Sequence, residues 1–168
     1  MTGPKKLFLV RHAHRDNSIQ TLDNGLSEKG LRQARAIGLQ IAQEIRRRES
    51  DTVAVFSSPK KRCRETVEPL VDRIGSSLVI DPDLTEQGPE ESLSEMIERI
   101  SVFLARIREA TDVQVFVACS HGDWLPLAAR KLVGQEMDFR KGAWIEYELT
   151  GQGARVVQQI QEPLEQKT

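Results

Sequence analysis

Apolar runs and amphipathic stretches alternate along the chain from one end to the other. Short apolar runs bounded by polar or turn residues are typical of buried strands. The strands that this pattern predicts span residues 6–10, 53–56, 78–80, 113–118, 143–149 and 154–160. The longer stretches between them carry apolar residues with a period near 3.6, which predicts helices with one buried face.

Residues that favour helix ends mark the starts of two of these helices. Ser27 is a favourable N-cap, because its side-chain oxygen accepts a hydrogen bond from a free backbone N–H group of the first turn. Pro59 lies near the first turn of the next helix, where its missing N–H costs little. The predicted helices span residues 28–48, 59–73 and 93–107, and a fourth follows the strand at 113–118 and ends near residue 132.

This alternation predicts an α/β fold in the form of a three-layer α/β/α sandwich. Strands that alternate with helices form mostly parallel sheets with helices on both faces. Gly151-Gln152-Gly153 separates the last two strands and favours a hairpin, which would add antiparallel pairing at an edge. The pattern contains no repeat and no long linker. We therefore expect a single domain over residues 1–168, without a large cap domain and with a frayed tail from about residue 161.

The composition is ordinary for a globular domain. Hydrophobic residues make up 39 % of the chain, charged residues 29 %, and the formal net charge is −1. This charge balance gives no reason to expect nucleic acid or an anionic membrane as a partner. No apolar stretch approaches the ~20 residues that a membrane helix needs, and the amino terminus lacks the apolar core of a signal peptide. We expect a cytoplasmic protein.

Neither the cysteines nor the carboxylates form a metal-binding pattern. Cys63 and Cys119 have no partner cysteines or histidines at the spacings of a zinc site, and they do not form a disulfide framework. We expect both to be small buried side chains. The sequence also lacks the clustered carboxylates that hold magnesium. It therefore predicts no metal site and no cofactor.

Polar residues that suit an oxyanion follow three of the predicted strands. Arg11 and His12 come directly after the first strand, and His121 comes just past the fourth. Arg62 falls in the first turn or so of the helix after the second strand, near backbone donors that favour anions. In such sheets, ligands bind beyond the carboxyl ends of the strands. These side chains therefore predict a phosphate site.

Four segments of the chain resemble the histidine phosphatase superfamily, which includes the phosphoglycerate mutases and the histidine acid phosphatases. LFLVRHA, LSEKGLRQA, FSSPKKRCRET and VACSHGD occur in the family's order and together cover nearly the whole chain. The resemblance implies a phosphoglycerate mutase-like fold and a covalent mechanism. His12 would attack phosphorus and carry the phosphoryl group. Arg11, Arg62 and His121 would surround the transferred oxygens.

Phosphoryl-transfer chemistry independently suits these residue types. A neutral imidazole is a competent nucleophile near pH 7, and nearby guanidinium groups disfavour its protonated form. A transferring phosphoryl group spreads its charge over three equatorial oxygens, so fixed cations supply much of the catalysis. Arginine suits this task because its planar fork can bind two oxygens at once. We therefore expect catalysis without a divalent metal.

The proton donor for the leaving group has two candidates in the sequence. Members of the family similar to phosphoglycerate mutase often use a glutamate in a Leu-x-Glu segment, and Leu84-Thr85-Glu86 has that spacing. Glu86 also lies in an acidic stretch, so a solvated loop carboxylate is an equal alternative. Asp123, two residues after His121, is the second candidate. An alkoxide leaving group needs this proton, whereas the labile P–N bond of phosphohistidine needs less assistance.

Three further residues of interest directly follow the Arg11-His12 pair. Ala13 stands where the family usually has glycine. Arg15 falls where the histidine acid phosphatases place an additional phosphate-binding arginine, which makes it a candidate substrate-binding residue. We expect His14 at the rim of the pocket rather than as a second nucleophile.

The sequence predicts a phosphatase that hydrolyses a phosphomonoester or a phosphohistidine through phospho-His12. Its short length, Arg11-His12-Ala13 and the segment 139–143 look most like the small bacterial phosphohistidine phosphatases, so a phosphorylated protein is the favoured partner. Only a short strand and one helix separate the helix of Arg62 from the strand before His121, which predicts an open pocket. One alternative is a phosphatase or mutase for a small sugar or glycerate phosphate. Another is a non-catalytic phosphate-binding interaction module.

Overall fold

The computed structural model describes residues 3–19, 22–48 and 51–163. The strands in these residues are β1 (Lys6–Arg11), β2 (Val53–Ser57), β3 (Leu78–Ile80), β4 (Val115–Ser120), β5 (Trp144–Leu149) and β6 (Ala154–Ile160). The helices are α1 (Glu28–Arg46), α2 (Lys61–Ile74), α3 (Leu93–Glu109) and α4 (Trp124–Val133). A short 3₁₀ turn, Pro82–Leu84, lies between β3 and α3.

The strands form one mixed sheet in the order β3-β2-β4-β1-β5-β6. The first four strands are all parallel: β4 pairs with β1 and β2, and β2 pairs with β3. β5 runs antiparallel to β1, and β6 runs antiparallel to β5. The predicted parallel sheet with an antiparallel edge is confirmed, as is the hairpin between the last two strands. β4 and β1 lie side by side at the centre, so their carboxyl ends meet at one place.

Side chains that alternate along β1 enter two separate hydrophobic cores. Leu7 and Leu9 pack in the core beneath α3 and α4, whereas Phe8 and Val10 pack in the core beneath α1 and α2. Successive side chains of a strand point to opposite faces, so a strand covered on both sides needs an unbroken apolar run. The two cores confirm the predicted three-layer sandwich.

Helix α2 begins two residues later than predicted. It starts at Lys61, so Pro59 precedes the helix instead of lying in its first turn. The backbone N–H of Ser58 still donates to the carbonyl of Cys119 on β4, at 3.1 Å. Because the chain continues its pairing with the sheet through Ser58, it has to turn before the helix can start.

Strand β4 also begins and ends two residues later than the apolar pattern predicts. Cys119 and Ser120 continue the ladder opposite Val10 and Arg11. A polar residue can hold this position because strand pairing uses the backbone, whatever the side chain. As a result, His121 is the first residue beyond the strand.

Ser27 caps α1 as predicted, since its hydroxyl oxygen accepts a hydrogen bond from the backbone N–H of Gly30 at 3.1 Å. Between α2 and β4 the chain forms only β3, the 3₁₀ turn and α3, so the described residues contain no large cap domain. Among these residues, no helix has both the length and the apolar character for a membrane span.

The start of the predicted tail is attached to the domain. Gln161 accepts a hydrogen bond from the backbone N–H of Arg140 at 3.0 Å and donates to the carbonyl of Asp138 at 2.7 Å. The rest of the predicted tail, residues 164–168, lies outside the described residues.

Candidate active site

The two central strands bring His12 and His121 together. Arg11 ends β1 opposite Ser120, which ends β4, so the residue after each strand lies at the same edge of the sheet. The two imidazole rings lie 5.5 Å apart between centroids and are tilted by 59°. Parallel pairing of β1 with β4 thus accounts for the contact between residues more than a hundred positions apart.

His12 is held as a neutral imidazole with its proton on Nδ1. Its side chain is buried, and Nδ1 lies 2.9 Å from the carbonyl oxygen of Ala13. A carbonyl can only accept, so Nδ1 carries the proton and Nε2 keeps its lone pair. Burial, together with the charges of Arg62 and Arg11, lowers the pKa of His12 to about 3. The ring therefore has an available nucleophilic nitrogen at neutral pH.

His121 is fixed by contacts at both of its ring nitrogens. Nδ1 lies 3.3 Å from Nη2 of Arg62, and Nε2 lies 2.9 Å from the hydroxyl of Ser58. A guanidinium can only donate, so Nδ1 accepts and Nε2–H donates to Ser58. Burial, followed by the charges of Arg62 and Lys60, lowers the pKa of His121 to about 3. Ser58 was absent from the sequence-based candidates, and its place in a Ser-Ser pair gave no reason to choose it.

Arg11 and Arg62 each keep a donor that has no partner among the described residues. Arg11 Nη1 donates to the carbonyl of Phe139 at 2.7 Å, and Arg62 Nη2 donates to Glu86 at 2.8 Å. In the described part of the chain, the buried Nε of each arginine has no hydrogen-bond partner. Buried donors are normally satisfied. Two unsatisfied guanidinium donors beside the histidines are what a site for an anion requires.

Gly122 allows Arg11 to lie close against the backbone after β4. A Cβ atom at this position would lie 2.6 Å from Cζ of Arg11 and 2.8 Å from its Nη2. Both distances are shorter than any normal carbon contact, so a larger residue would displace the guanidinium. Gly122 lies in the segment VACSHGD, but this requirement depends on packing and is not visible in the sequence.

Thr66 ties the helix of Arg62 to the loop of His12. Its hydroxyl accepts a hydrogen bond from the backbone N–H of Ala13 at 2.9 Å and donates to the carbonyl of Arg62 at 2.7 Å. Thr66, Ala13 and Arg62 are all buried. The hydroxyl thus fixes the distance between β1 and the first turn of α2, and sequence reasoning did not find this role.

The two acid candidates differ in what their carboxylates contact. The Glu86 carboxylate lies 2.8 Å from Nη2 of Arg62 and 3.8 Å from Nδ1 of His121. The exposed Asp123 instead accepts a hydrogen bond from the backbone N–H of Gln87 at 2.9 Å. The structure therefore brings Glu86 into the cluster of site residues, while Asp123 holds the backbone next to it.

Arg15 lies at the base of the loop that follows β1. It pairs with Leu26 in an isolated antiparallel bridge, and its Nη2 lies 3.4 Å from the carbonyl of Leu22. No hydrogen bond or ion pair within the described residues joins Arg15 to His12 or Arg62. Its Nε atom, like those of Arg11 and Arg62, is buried without a partner in that part of the chain. Phosphate binding by Arg15 remains a prediction.

His14 faces the start of α1 and not the other site residues. Its Nδ1 lies 2.7 Å from the hydroxyl of Ser27, and its backbone N–H donates to the side chain of Gln33 at 2.9 Å. It also lines a surface cavity together with Lys29 and Lys141. The side chain thus lies beside a cavity that none of the other predicted site residues lines.

Within the described residues, no group of three or more histidine, cysteine, aspartate and glutamate side chains is placed to hold a metal ion. Cys63 and Cys119 are free and fully buried, as expected for small core side chains. Burial raises the pKa of the Cys119 thiol.

Comparison with known proteins identifies the family. Residues 7–89 match the family model of the histidine phosphatase superfamily, branch 1. The chain belongs to the histidine phosphatase superfamily. The matched segment includes Arg11, His12, Arg62 and Glu86, whereas His121 lies beyond it.

A curated relative and several solved structures are similar to the chain. "Putative phosphoserine phosphatase 2" of Hydrogenobacter thermophilus is 33 % identical over 89 residues, which are 50 % of this chain and 41 % of that protein. The α-ribazole phosphatase of Shigella flexneri has a TM-score of 0.75 at 17 % identity and covers 95 % of this chain and 96 % of its own. The "putative phosphohistidine phosphatase SixA" of Agrobacterium tumefaciens has a TM-score of 0.71 at 19 % identity, with 94 % and 98 % covered. These structures confirm the phosphoglycerate mutase-like fold.

Proposed function

We propose that the protein is a phosphatase that hydrolyses phosphomonoesters through a phosphoenzyme on His12, with Glu86 as the general acid. The observation that carries this proposal is the convergence of a neutral His12, two arginines with unused donors and a carboxylate in one site. The family to which the chain belongs, and the phosphatase names of its relatives, support the same class of reaction.

In the first step, Nε2 of His12 attacks the phosphorus atom of the ester. A P–N bond forms while the P–O bond to the leaving group breaks, and the leaving oxygen takes the proton of Glu86, which enters this step as the carboxylic acid. In the second step, water attacks the phosphohistidine and Glu86 takes a proton from that water. The P–N bond breaks, inorganic phosphate leaves, and His12 and Glu86 return to their starting states.

The arginines supply the charge that this transfer needs. The three equatorial oxygens of the transferring group share negative charge in the transition state. The Nε donors of Arg11 and Arg62, which are buried without a hydrogen-bond partner within the described residues, would be satisfied by these oxygens. Such fixed donors are effective because they need no reorganisation when the charge develops.

The position of Glu86 favours an ester as the substrate. An alkoxide is a poor leaving group, and a positioned general acid accelerates its departure by ~10²–10⁴-fold. Glu86 lies against Arg62 and near His121, so its carboxyl group would be close to a phosphate bound by the same arginine. A phosphatase specific for phosphohistidine has less need of such a group.

A second candidate substrate is phosphohistidine on another protein. The observation in its favour is the lack of a large cap between α2 and β4 in the described residues, since an uncapped site admits a side chain displayed on a protein surface. The same feature argues against a mutase, which must protect its phosphoenzyme from water. The presence of an available nucleophile argues against a non-catalytic binding module.

The proposal is tested by trapping the phosphoenzyme with 4-nitrophenyl phosphate. We expect wild type to release a burst of nitrophenol equal to the enzyme concentration and to carry an acid-labile phosphate on His12, identified by mass spectrometry. His12→Ala should lose the phosphoenzyme and at least ~10³-fold in kcat. His14→Ala is the matched control and should retain both. Full activity in His12→Ala would contradict the proposal.

A comparison of two substrates with the wild-type enzyme distinguishes an ester from a phosphohistidine as the preferred substrate. An alkyl phosphate and a phosphohistidine-carrying protein are compared by kcat/KM under identical conditions. A higher kcat/KM for the alkyl phosphate supports the ester, and a much higher value for the phosphoprotein supports the second candidate.

A further inference from the structure

We propose that Arg99 is a positioning residue that holds Glu86 in place for proton transfer. The proposal rests on the proposed function, in which Glu86 protonates the leaving group. It concerns the segment 83–91, which connects the 3₁₀ turn to α3 and carries Glu86.

Arg99 lies on α3 and uses all three guanidinium nitrogens on this segment. Nη1 donates to the carbonyl of Asp83 at 2.7 Å, and Nη2 donates to the carbonyl of Glu86 at 3.0 Å. Nε and Nη2 also bind the two carboxylate oxygens of Glu91 at 2.7 and 2.8 Å. One side chain therefore fixes the beginning, the middle and the end of the segment.

Asp123 binds the same segment from its other side. Its carboxylate accepts the backbone N–H of Gln87 at 2.9 Å, next to the carbonyl of Glu86 that Arg99 binds. The peptide unit that joins Glu86 to Gln87 is thus held from two sides. Glu91 strengthens the hold, because its Oε1 also accepts the backbone N–H of Gly88 at 3.2 Å.

This attachment matters because little else fixes the acid. The Glu86 side chain is 40 % exposed, and the ion-pair partners of its carboxylate among the described residues are Arg62 and His121. A segment without regular structure would otherwise let the carboxylate move, and a displacement of about 1 Å in a reacting group costs ~10²-fold in rate. Arg99 and Asp123 together limit this movement at the backbone of Glu86.

The experiment measures how kcat/KM depends on the leaving group. Three substrates are compared: 4-nitrophenyl phosphate, phenyl phosphate and β-glycerol phosphate, in order of increasing need for a proton. The ratio kcat/KM depends only on the steps up to departure of the leaving group, so the rate of phosphoenzyme hydrolysis does not affect the result. Glu86→Gln should steepen the dependence, because it removes the acid.

Arg99→Met is expected to reproduce this change in part. It should lower kcat/KM for β-glycerol phosphate by about 10- to 100-fold and change that for 4-nitrophenyl phosphate by less than about threefold. Arg99→Lys keeps the charge but cannot bond several acceptors in one plane, so it should give an intermediate dependence. It also decides the question if Arg99→Met does not fold.

Arg106→Met is the matched control. Arg106 lies two turns further along α3, and its Nη2 binds the carboxylates of Asp81 and Asp83 at 2.8 Å each. It thus ties the same connection to the same helix without touching Glu86. Its loss should leave the leaving-group dependence as in wild type.

The outcomes separate the two proposals. If Glu86→Gln steepens the dependence while both Arg99 variants match wild type, the role of Arg99 is overturned and the role of Glu86 stands. If Arg106→Met steepens it as much as Arg99→Met, the effect comes from general loosening and the inference fails. If Glu86→Gln changes nothing, the acid in the proposed function is wrong.

Discussion

At the scale of single residues, the site depends on contacts that leave particular atoms unused. The carbonyl of Ala13 accepts a hydrogen bond from Nδ1–H of His12, so Nε2 carries the lone pair. The carbonyl of Phe139 holds one end of the Arg11 guanidinium, while Nε of Arg11 has no partner in the described part of the chain. The backbone thus orients both side chains and leaves their reactive atoms for the substrate.

Gly122→Ala is predicted to disable phosphate binding without unfolding the protein. The new methyl group would overlap Cζ of Arg11 and displace the guanidinium from the position in which its Nη1 donates to the carbonyl of Phe139. We expect kcat/KM for 4-nitrophenyl phosphate to fall by roughly 100-fold, the scale on which misplacing one catalytic group acts.

Gly151→Ala is the control for this substitution, since a Cβ atom there meets nothing within 4 Å. It should retain wild-type kcat/KM. A Gly122→Ala protein with wild-type kinetics would show that Arg11 does not need its observed position.

At the scale of elements, α2 brings Arg62 to the site and Thr66 sets how closely the helix approaches β1. The two residues lie one turn apart on the buried face of α2. Sequence reasoning placed Arg62 near the start of a helix, and that placement is confirmed. It could not show that the Thr66 hydroxyl satisfies the backbone N–H of Ala13, because this bond joins residues 53 positions apart.

Thr66→Val is predicted to destabilise the fold by ~1–3 kcal/mol, the cost of leaving a buried donor without a partner. The donor is the N–H of Ala13, and valine has nearly the same shape as threonine. Urea unfolding measures the change. Thr66→Ser keeps the hydroxyl and should lose clearly less stability; equal losses in the two variants would show that the hydrogen bond contributes nothing.

At the scale of the whole molecule, the order of the strands builds the site. β2, β4 and β1 are neighbours in the sheet and run in parallel, so the residues that follow them meet at one edge. The cost of this arrangement is the burial of two imidazoles beside guanidinium groups. Both have a pKa of about 3 in the folded protein, against 6.5 for an unperturbed histidine.

Folding stability should therefore fall as the pH falls below 6.5. Below pH 6.5 the unfolded chain binds protons at His12 and His121, whereas the folded protein binds them only near pH 3. Proton binding therefore stabilises the unfolded state relative to the folded state across this range. Between pH 7 and pH 5, each histidine is expected to contribute about 2 kcal/mol to the loss of stability.

Urea unfolding at the two pH values measures this loss. His12→Asn and His121→Asn should each reduce the difference between pH 7 and pH 5 by about 2 kcal/mol. Variants that show the wild-type difference would mean that the histidines are not buried in their neutral form.

The local pattern of the chain was sufficient for much of the fold. Leu7 to Val10 predicted a strand covered on both faces, because only such a strand has apolar residues at every position. Boundaries were less accurate: Ser120 ends β4 although it is polar, since its backbone pairs with Arg11. Glu86 could not be told from a solvated loop carboxylate, because the chain does not show that Arg62 lies beside it.

The sequence by itself determined the elements, the fold class and the residue types at the strand ends, since these follow from periodicity and from chemistry at a single position. The tertiary structure decided everything that depends on distance between remote segments. It paired β1 with β4 and so set His12 beside His121. It also placed the Glu86 carboxylate against Arg62 and attached the backbone of Glu86 to Arg99. These contacts join residues far apart in the chain, and only the packing of the sheet and helices brings them within reach.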